Sequence, residues 1–125
     1  MSEESDQPSQ VADRQPEPDE EFLAHCELPS HPGARETAFV VRRTIAVYAD
    51  LKVEMIHALD RIPEDLGDIF IRESLIVVEF VMNLEENLGV SIPHYEPVSD
   101  LLSRETLTVK EIIETVTALV VKQLK

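Results

Sequence analysis

Residues 73–93 read ESLIVVEFVMNLEENLGVSIP, and the spacing of their apolar positions predicts a helix from about Ser74 to Leu88. Gly89 can adopt the left-handed conformation that ends a helix, and Pro93 prevents the helix from continuing. One row of apolar residues has the spacing of a face packed into a helical bundle: Val77, Phe80, Val81, Leu84 and Leu88. The stretch therefore predicts a long helix in an all-α fold.

The same helix carries a second apolar row, rotated away from the first and made of Leu75, Val78 and Met82. Four acidic residues frame this row: Glu73, Glu79, Glu85 and Glu86. Exposed apolar side chains among carboxylates suit docking onto a partner protein that has a shallow apolar groove and arginines. Burial of both rows by neighbouring helices is the alternative. The row and its acidic frame are the predicted partner-binding residues.

A second long helix is predicted before this stretch, from about Glu36 to Ala49. Its apolar residues lie at helical spacing and are Val40, Val41, Ile45, Val47 and Tyr48, with Leu51 just beyond. Arg42 and Arg43 are predicted on the opposite, polar side of this helix.

The last long helix is predicted to begin at Thr108, which can cap it while Glu111 reaches back to complete a capping box. A short helical turn around Ser99 to Leu102 is predicted to bridge the second and the last long helices. The predicted fold is therefore all-α, a small four-helix bundle with three long helices and one short helix.

The first 33 residues differ in composition from the rest of the chain. They hold five of the eight prolines and nine acidic residues, against Arg14 as the single base. Such a segment has too little apolar surface to offset its ordering entropy. Residues 1–33 are predicted to be a disordered acidic tail, in which only a short helix around Glu20 to Cys26 is considered, and residues 34–125 are predicted to form the bundle.

The overall charge limits the classes of partner. The chain has 11 lysines and arginines against 25 aspartates and glutamates, a formal net charge of −14. This charge disfavours nucleic acids and anionic membranes and favours basic patches on other proteins. No stretch approaches the roughly 20 apolar residues of a membrane span, and the first residues lack a secretory signal. A cytoplasmic monomer without a membrane span is expected.

The sequence offers little support for catalytic or metal chemistry. His25, Cys26 and His31 are of ligand type, but their spacing fits no strong metal template. Cys26 is the single cysteine, so it has no partner for an internal disulfide. The three glycines do not form a phosphate-binding loop, and a small bundle offers little room for a concave site that could activate a carboxylate pair. No catalytic residue and no metal ligand is predicted.

The stretch from Glu73 to Pro93 resembles the acyl carrier protein family. The signature of that family is Asp-Ser-Leu at the start of its second helix, then a Val-Glu-Leu-Val-Met-like run, paired glutamates and Ile-Pro. The matching residues here are Glu73-Ser74-Leu75, the run from Val78 to Met82, Glu85-Glu86 and Ile92-Pro93. Glu64-Asp65-Leu66-Gly67 and Leu107-Thr108-Val109 extend the similarity, which covers about residues 36–120.

The resemblance implies a bundle of the acyl-carrier type, in which Ser74 bears a phosphopantetheine arm. A phosphopantetheinyl transferase would attach the arm from coenzyme A, and the thiol of the arm would hold an acyl or aminoacyl group as a thioester. Bond chemistry then belongs to partner enzymes, acyl-transferring enzymes or synthases with basic docking patches, and the chain itself is not an enzyme. The carried group and the pathway, whether fatty acid, polyketide, lipid or peptide, stay open.

The sequence departs from the family pattern near the serine. Glu73 replaces the usual aspartate, Ile76 replaces an acidic residue, and about four extra residues precede Arg72. A serine before a helix is also a common N-cap with no further role. The alternative is an unmodified carrier-like helical interaction module that acts as an adaptor or regulator through the same acidic face.

Overall fold

The structure is a computed structural model, and it describes residues 15–62, 64–67, 74–91, 100–101 and 107–124. Within these residues the chain forms four α-helices, a 3-10 helix and one pair of very short strands. The helices are α1 (Asp19–Ala24), α2 (Ala34–Ala49), α3 (Ser74–Leu88) and α4 (Val109–Leu124), and the 3-10 helix is Val53–Met55. The prediction of a small all-α bundle is confirmed.

The two strands tie the turn after α2 to the start of α4. Strand β1 (Arg61–Ile62) pairs antiparallel with β2 (Leu107–Thr108), so that Arg61 lies opposite Thr108 and Ile62 opposite Leu107. Helix α2 is the central element, because it packs against α4, α3 and α1. Its fully buried Val41 and Ile45 meet a core that also includes Phe22, Phe80, Leu84, Ile112, Ile113 and Val116.

The predicted signals for the end of α3 and for the start of α4 both form in the structure. Gly89 has a φ of +69° after the end of α3, and its N–H donates to Glu85 O at 2.9 Å. At the start of α4, Thr108 N–H donates to Glu111 Oε1 at 2.8 Å, and Glu111 N–H donates to Thr108 Oγ1 at 3.2 Å. Of the predicted turn at Ser99 to Leu102, only residues 100 and 101 lie within the described ranges, and both are helical.

Two predicted positions on α2 are wrong. Val47, assigned to the apolar face, is 77% exposed, and Arg42, assigned to the polar side, is 1% exposed. Arg42 is buried because α2 is covered on more sides than a helix with one buried face. The side that bears Arg42 lies under the N-terminal segment and the turn after α2.

The boundary at residue 33 also needs correction, because residues 15–33 belong to the folded unit. Helix α1 forms at Asp19–Ala24 and overlaps the stretch from Glu20 to Cys26 that suggests a short helix, and Phe22 is fully buried in the core. Glu17 N–H donates to Glu54 O at 2.8 Å, and the Glu17 carboxylate accepts from Ala58 N–H at 2.9 Å. Burial of Phe22 and these long-range hydrogen bonds offset the entropy lost when the segment becomes ordered. The composition of the segment does not reveal these contacts. Residues 1–14 lie outside the described residues.

The guanidinium of Arg42 joins this segment to the bundle. Its Nη1 donates to Asp19 Oδ1 at 2.8 Å, and its Nη2 donates to Glu17 O at 2.7 Å and to Ile56 O at 2.8 Å. The guanidinium carbon lies 4.1 Å from the centre of the Phe22 ring, within cation–π range. Burial lowers the pKa of Arg42, and the carboxylate of Asp19 opposes that shift.

Deletion of residues 1–26 is expected to destabilise the protein, because it removes Phe22 and leaves Arg42 without two of its acceptors. The loss in the free energy of unfolding should be about 3 kcal/mol or more. Residues 1–14 are polar and acidic with little apolar surface, so their deletion should change that free energy far less. Urea denaturation followed by circular dichroism measures both deletions, and equal midpoints for the two would contradict the corrected boundary.

Candidate functional site

Ser74 is the first residue of α3, as the sequence predicts. Glu73 lies outside the described residues, and so do the side chains of residues 74–77, which include Leu75. At a helix N-terminus the first backbone N–H groups have no partner within the helix, and the helix dipole favours negative charge there. No acidic residue occupies the first turn of α3, so no carboxylate of that turn opposes an anion. The helix dipole at the start of α3 favours an anion, while Glu73, the residue before the helix, adds a negative charge that opposes one.

The outward face of α3 is an exposed surface of mixed character. Met82 is 60% exposed, Val78 is partly exposed, and Glu79 and Glu86 are exposed. With Asn83 and the partly exposed Glu85 they line a shallow groove of about 670 Å³. On the opposite side of the helix, Phe80 and Leu84 are fully buried and Val81 nearly so. The two rows therefore separate as predicted at these positions, and burial of the second row is wrong for Met82.

This face is negatively charged. Within the part of the chain that the structure describes, no lysine or arginine lies at ion-pair distance from Glu79 or Glu86. Carboxylates without a neighbouring base keep their attraction for an external cation. Such a face attracts positive charge, and Met82 adds exposed apolar surface to it.

Tyr48 also contributes to the site, although the sequence predicts it only as part of the apolar face of α2. The Tyr48 hydroxyl donates to Glu79 Oε1 at 3.2 Å and accepts from Asn83 Nδ2 at 3.0 Å. Its ring packs edge-on against Phe80, with 5.4 Å between the ring centres, and burial raises the pKa of Tyr48. The signal in the sequence was the spacing of Glu79 and Asn83, which places two polar groups on one side of α3 within reach of a tyrosine.

The hydrogen bonds of Tyr48 with Glu79 and Asn83 form a polar seam between α2 and α3, and a further polar contact continues it. Asn87 Nδ2 donates to Thr44 Oγ1 at 3.4 Å, one helical turn along both helices from the tyrosine. Because Thr44 is buried and also bonds Val40 O, the seam is formed partly inside the bundle. These contacts set the position of α3, and hence of its outward face, against the central helix.

The residues weighed as metal ligands serve different contacts. His25 Nε2 lies 3.5 Å from Glu17 Oε2, and His31 Nδ1 accepts from Gly33 N–H at 2.9 Å. The thiol of Cys26 donates to Phe22 O at 3.5 Å. Within the described ranges no group of three or more histidine, cysteine, aspartate or glutamate side chains is arranged to hold a metal ion.

Cys26 lies in surroundings that favour the thiol over the thiolate. Burial raises the pKa of Cys26 to about 11, and the nearby carboxylate of Glu114 adds to the shift. A thiol with a raised pKa is a poor nucleophile near neutral pH, because only the thiolate attacks. This environment argues against a catalytic thiol at this position.

The comparisons with protein-family models, with curated proteins and with solved structures find no match for this chain. Among the helices that the structure describes, none has the length and apolar composition to cross a bilayer.

Alkylation of Cys26 by iodoacetamide at pH 8 should be about 100-fold slower in the native protein than in the urea-unfolded chain, because the folded thiol is protonated almost completely. The native rate should rise with pH until about pH 11, where the pKa lies. Mass spectrometry of timed samples measures both rates. Equal rates in the two states would show that the fold does not suppress the thiolate.

Proposed function

We propose that this chain is an acyl or aminoacyl carrier protein that holds its cargo as a thioester on a phosphopantetheine arm attached to Ser74. The observation that supports the proposal most is the combination on α3 of a serine at the first position and an exposed apolar and acidic face along the same helix. A carrier needs both, because the arm must be reachable and each partner enzyme must recognise the surface beside it.

The attachment step fits the start of α3. The serine oxygen forms a bond to the phosphorus that bears pantetheine, the pyrophosphate bond of coenzyme A breaks, and adenosine 3′,5′-bisphosphate leaves. The serine proton passes to a base of the transferase. The product is a phosphodiester anion at a helix N-terminus, where backbone N–H groups and the helix dipole stabilise negative charge.

The remaining chemistry belongs to the partner enzymes in this proposal. Thioester formation and acyl transfer take place in their active sites, and the carrier supplies attachment and recognition. Glu79, Glu85 and Glu86, with Val78 and Met82, would meet basic and apolar residues on the transferase and on acyl-transferring enzymes or synthases. The chain is then a carrier and not an enzyme.

A second candidate function uses the same face without the arm. Ile76 and Glu73 replace residues that flank the serine in the acyl carrier family, and a transferase reads the surroundings of the serine it modifies. These two differences favour an unmodified adaptor or regulator that binds partner proteins through α3. The two candidates differ in the covalent state of Ser74.

Incubation with coenzyme A and a broad-specificity phosphopantetheinyl transferase should raise the protein mass by one phosphopantetheine arm. Ser74→Ala should abolish the gain and retain the native circular dichroism spectrum. Intact-protein mass spectrometry gives the result directly. An unchanged mass with several transferases, together with unmodified protein from its native cells, would favour the adaptor.

Charge reversal on the outward face of α3 should weaken recognition by the transferase. Glu86→Lys is expected to raise the KM for the protein substrate by about five-fold and to change kcat little, since it alters docking and not the reacting groups. Glu21→Lys, which makes the same charge change on α1, is the matched control and should leave KM near that of the wild type. Similar effects of the two variants would indicate that only net charge matters.

A further inference from the structure

We infer that the docking face extends from α3 across the seam to the last turn of α2, where Val47 and Tyr48 form its second half. The expected occupant is a protein surface in which an apolar side chain is flanked by arginines. The inference deepens the proposed function, on which its choice of a protein partner rests.

The position of Val47 is the first reason. Only three large apolar side chains are strongly exposed in the described part of the chain: Val47, Leu59 and Met82. Val47 immediately precedes Tyr48, whose hydroxyl bonds Glu79 and Asn83, and Met82 is the neighbour of Asn83 on α3. Two of the three exposed apolar residues are therefore chain neighbours of residues in one polar seam. A valine at 77% exposure contributes little to the core, so its apolar surface is available to a partner.

The polar contact at the seam is the second reason. Tyr48 holds the Glu79 carboxylate through Oε1, while no described residue donates to Oε2. A carboxylate held in one orientation loses less side-chain entropy when it pairs with a guanidinium than a freely rotating one does. Tyr48 is thus a positioning residue for Glu79, and its ring is itself fixed by the edge-on contact with Phe80.

The charge around the seam identifies the occupant. Glu79, Glu86 and the exposed Asp50 at the end of α2 are acidic, whereas Arg43, one turn before Val47, is the exposed base on the adjoining stretch of α2. Arginines of the occupant are therefore expected over α3 and its apolar side chain near Val47 and Met82. Arginine suits this position because its planar guanidinium pairs with carboxylates and also packs on apolar surface.

The test uses the full-length unmodified protein and two labelled helical peptides, one with a leucine face flanked by arginines and one with serines in place of the leucines. Fluorescence anisotropy at about 0.1 M ionic strength gives the dissociation constants. The arginine–leucine peptide should bind the wild type at least about five-fold more tightly than the arginine–serine peptide. No binding of the former, or equal binding of the two, would overturn the inference.

A pair of variants with the same charge change locates the surface. Val47→Lys should weaken binding of the arginine–leucine peptide by about ten-fold, because it removes apolar surface and adds a repulsive charge at the seam. Leu59→Lys is the matched control. Leu59 is also exposed, but its neighbour Ala58 lies beside the start of α4, where the Ala58 carbonyl accepts from Lys110 N–H. Leu59→Lys should weaken binding less than two-fold. Equal effects of the two variants would place the peptide elsewhere.

A double-mutant cycle tests the role of Tyr48. Tyr48→Phe keeps the ring and removes the hydroxyl, and Glu79→Gln removes the charge that the hydroxyl orients. Each should weaken binding about three-fold, and the double variant should bind no more weakly than Glu79→Gln alone. Additive losses would show that Tyr48 acts independently of Glu79, which contradicts a positioning role.

Ser74→Ala should bind the arginine–leucine peptide as the wild type does, because the serine lies outside the seam. This variant separates the two proposals. If the wild-type protein binds the peptide but never gains an arm, only the carrier proposal is refuted. If it gains the arm but its peptide binding does not depend on Val47, only the extended docking face is refuted.

Discussion

A buried guanidinium is the constraint on which this small fold depends. Arg42 is on the central helix, and its removal from water would cost several kcal/mol without compensation. The compensation comes from the carboxylate of Asp19 and the carbonyls of Glu17 and Ile56, which belong to the N-terminal segment and to the turn after α2. Because no single element supplies all the acceptors, the segment and the turn must be in place together for the charge to be buried. The aromatic ring of Phe22 completes the cover and joins this polar cluster to the apolar core.

The second determinant is the polar seam between α2 and α3, which has consequences for both sides of α3. Inside, the Tyr48 ring meets Phe80 in the core, and outside, the hydroxyl of the same residue orients Glu79. The packing that holds α3 in the bundle and the charge that it presents to a partner are therefore connected through one side chain. A partly buried ring with a polar tip suits such a boundary, since it contributes apolar area on one side and a hydrogen bond on the other.

The sequence predicted the features that depend on local chemistry. The bounds of α3, the left-handed Gly89 and the Thr108–Glu111 capping box each follow from residues a few positions apart. It failed for Arg42, Val47 and residues 15–33, because their positions depend on contacts between residues far apart in the chain. An arginine is usually exposed, and only the distant acceptors make its burial tolerable. The outward face of α3 was predictable from its excess of apolar residues, whereas the role of Tyr48 required the pairing of two helices.

The proposed docking face has more acidic than apolar surface, which suits a protein that must leave each partner after transfer. Carboxylates at the rim of an interface speed encounter with a basic surface and add modest affinity, whereas the lifetime of a complex depends more on the apolar area buried at its centre. Here the apolar part is small, with Met82 and Val47 as its strongly exposed side chains, and the acidic part is extensive. Such a surface favours fast, selective and short-lived complexes. The buried cluster around Arg42 serves the opposite requirement under the proposed function, because a carrier exchanged among several enzymes would have to keep one shape while its partners change.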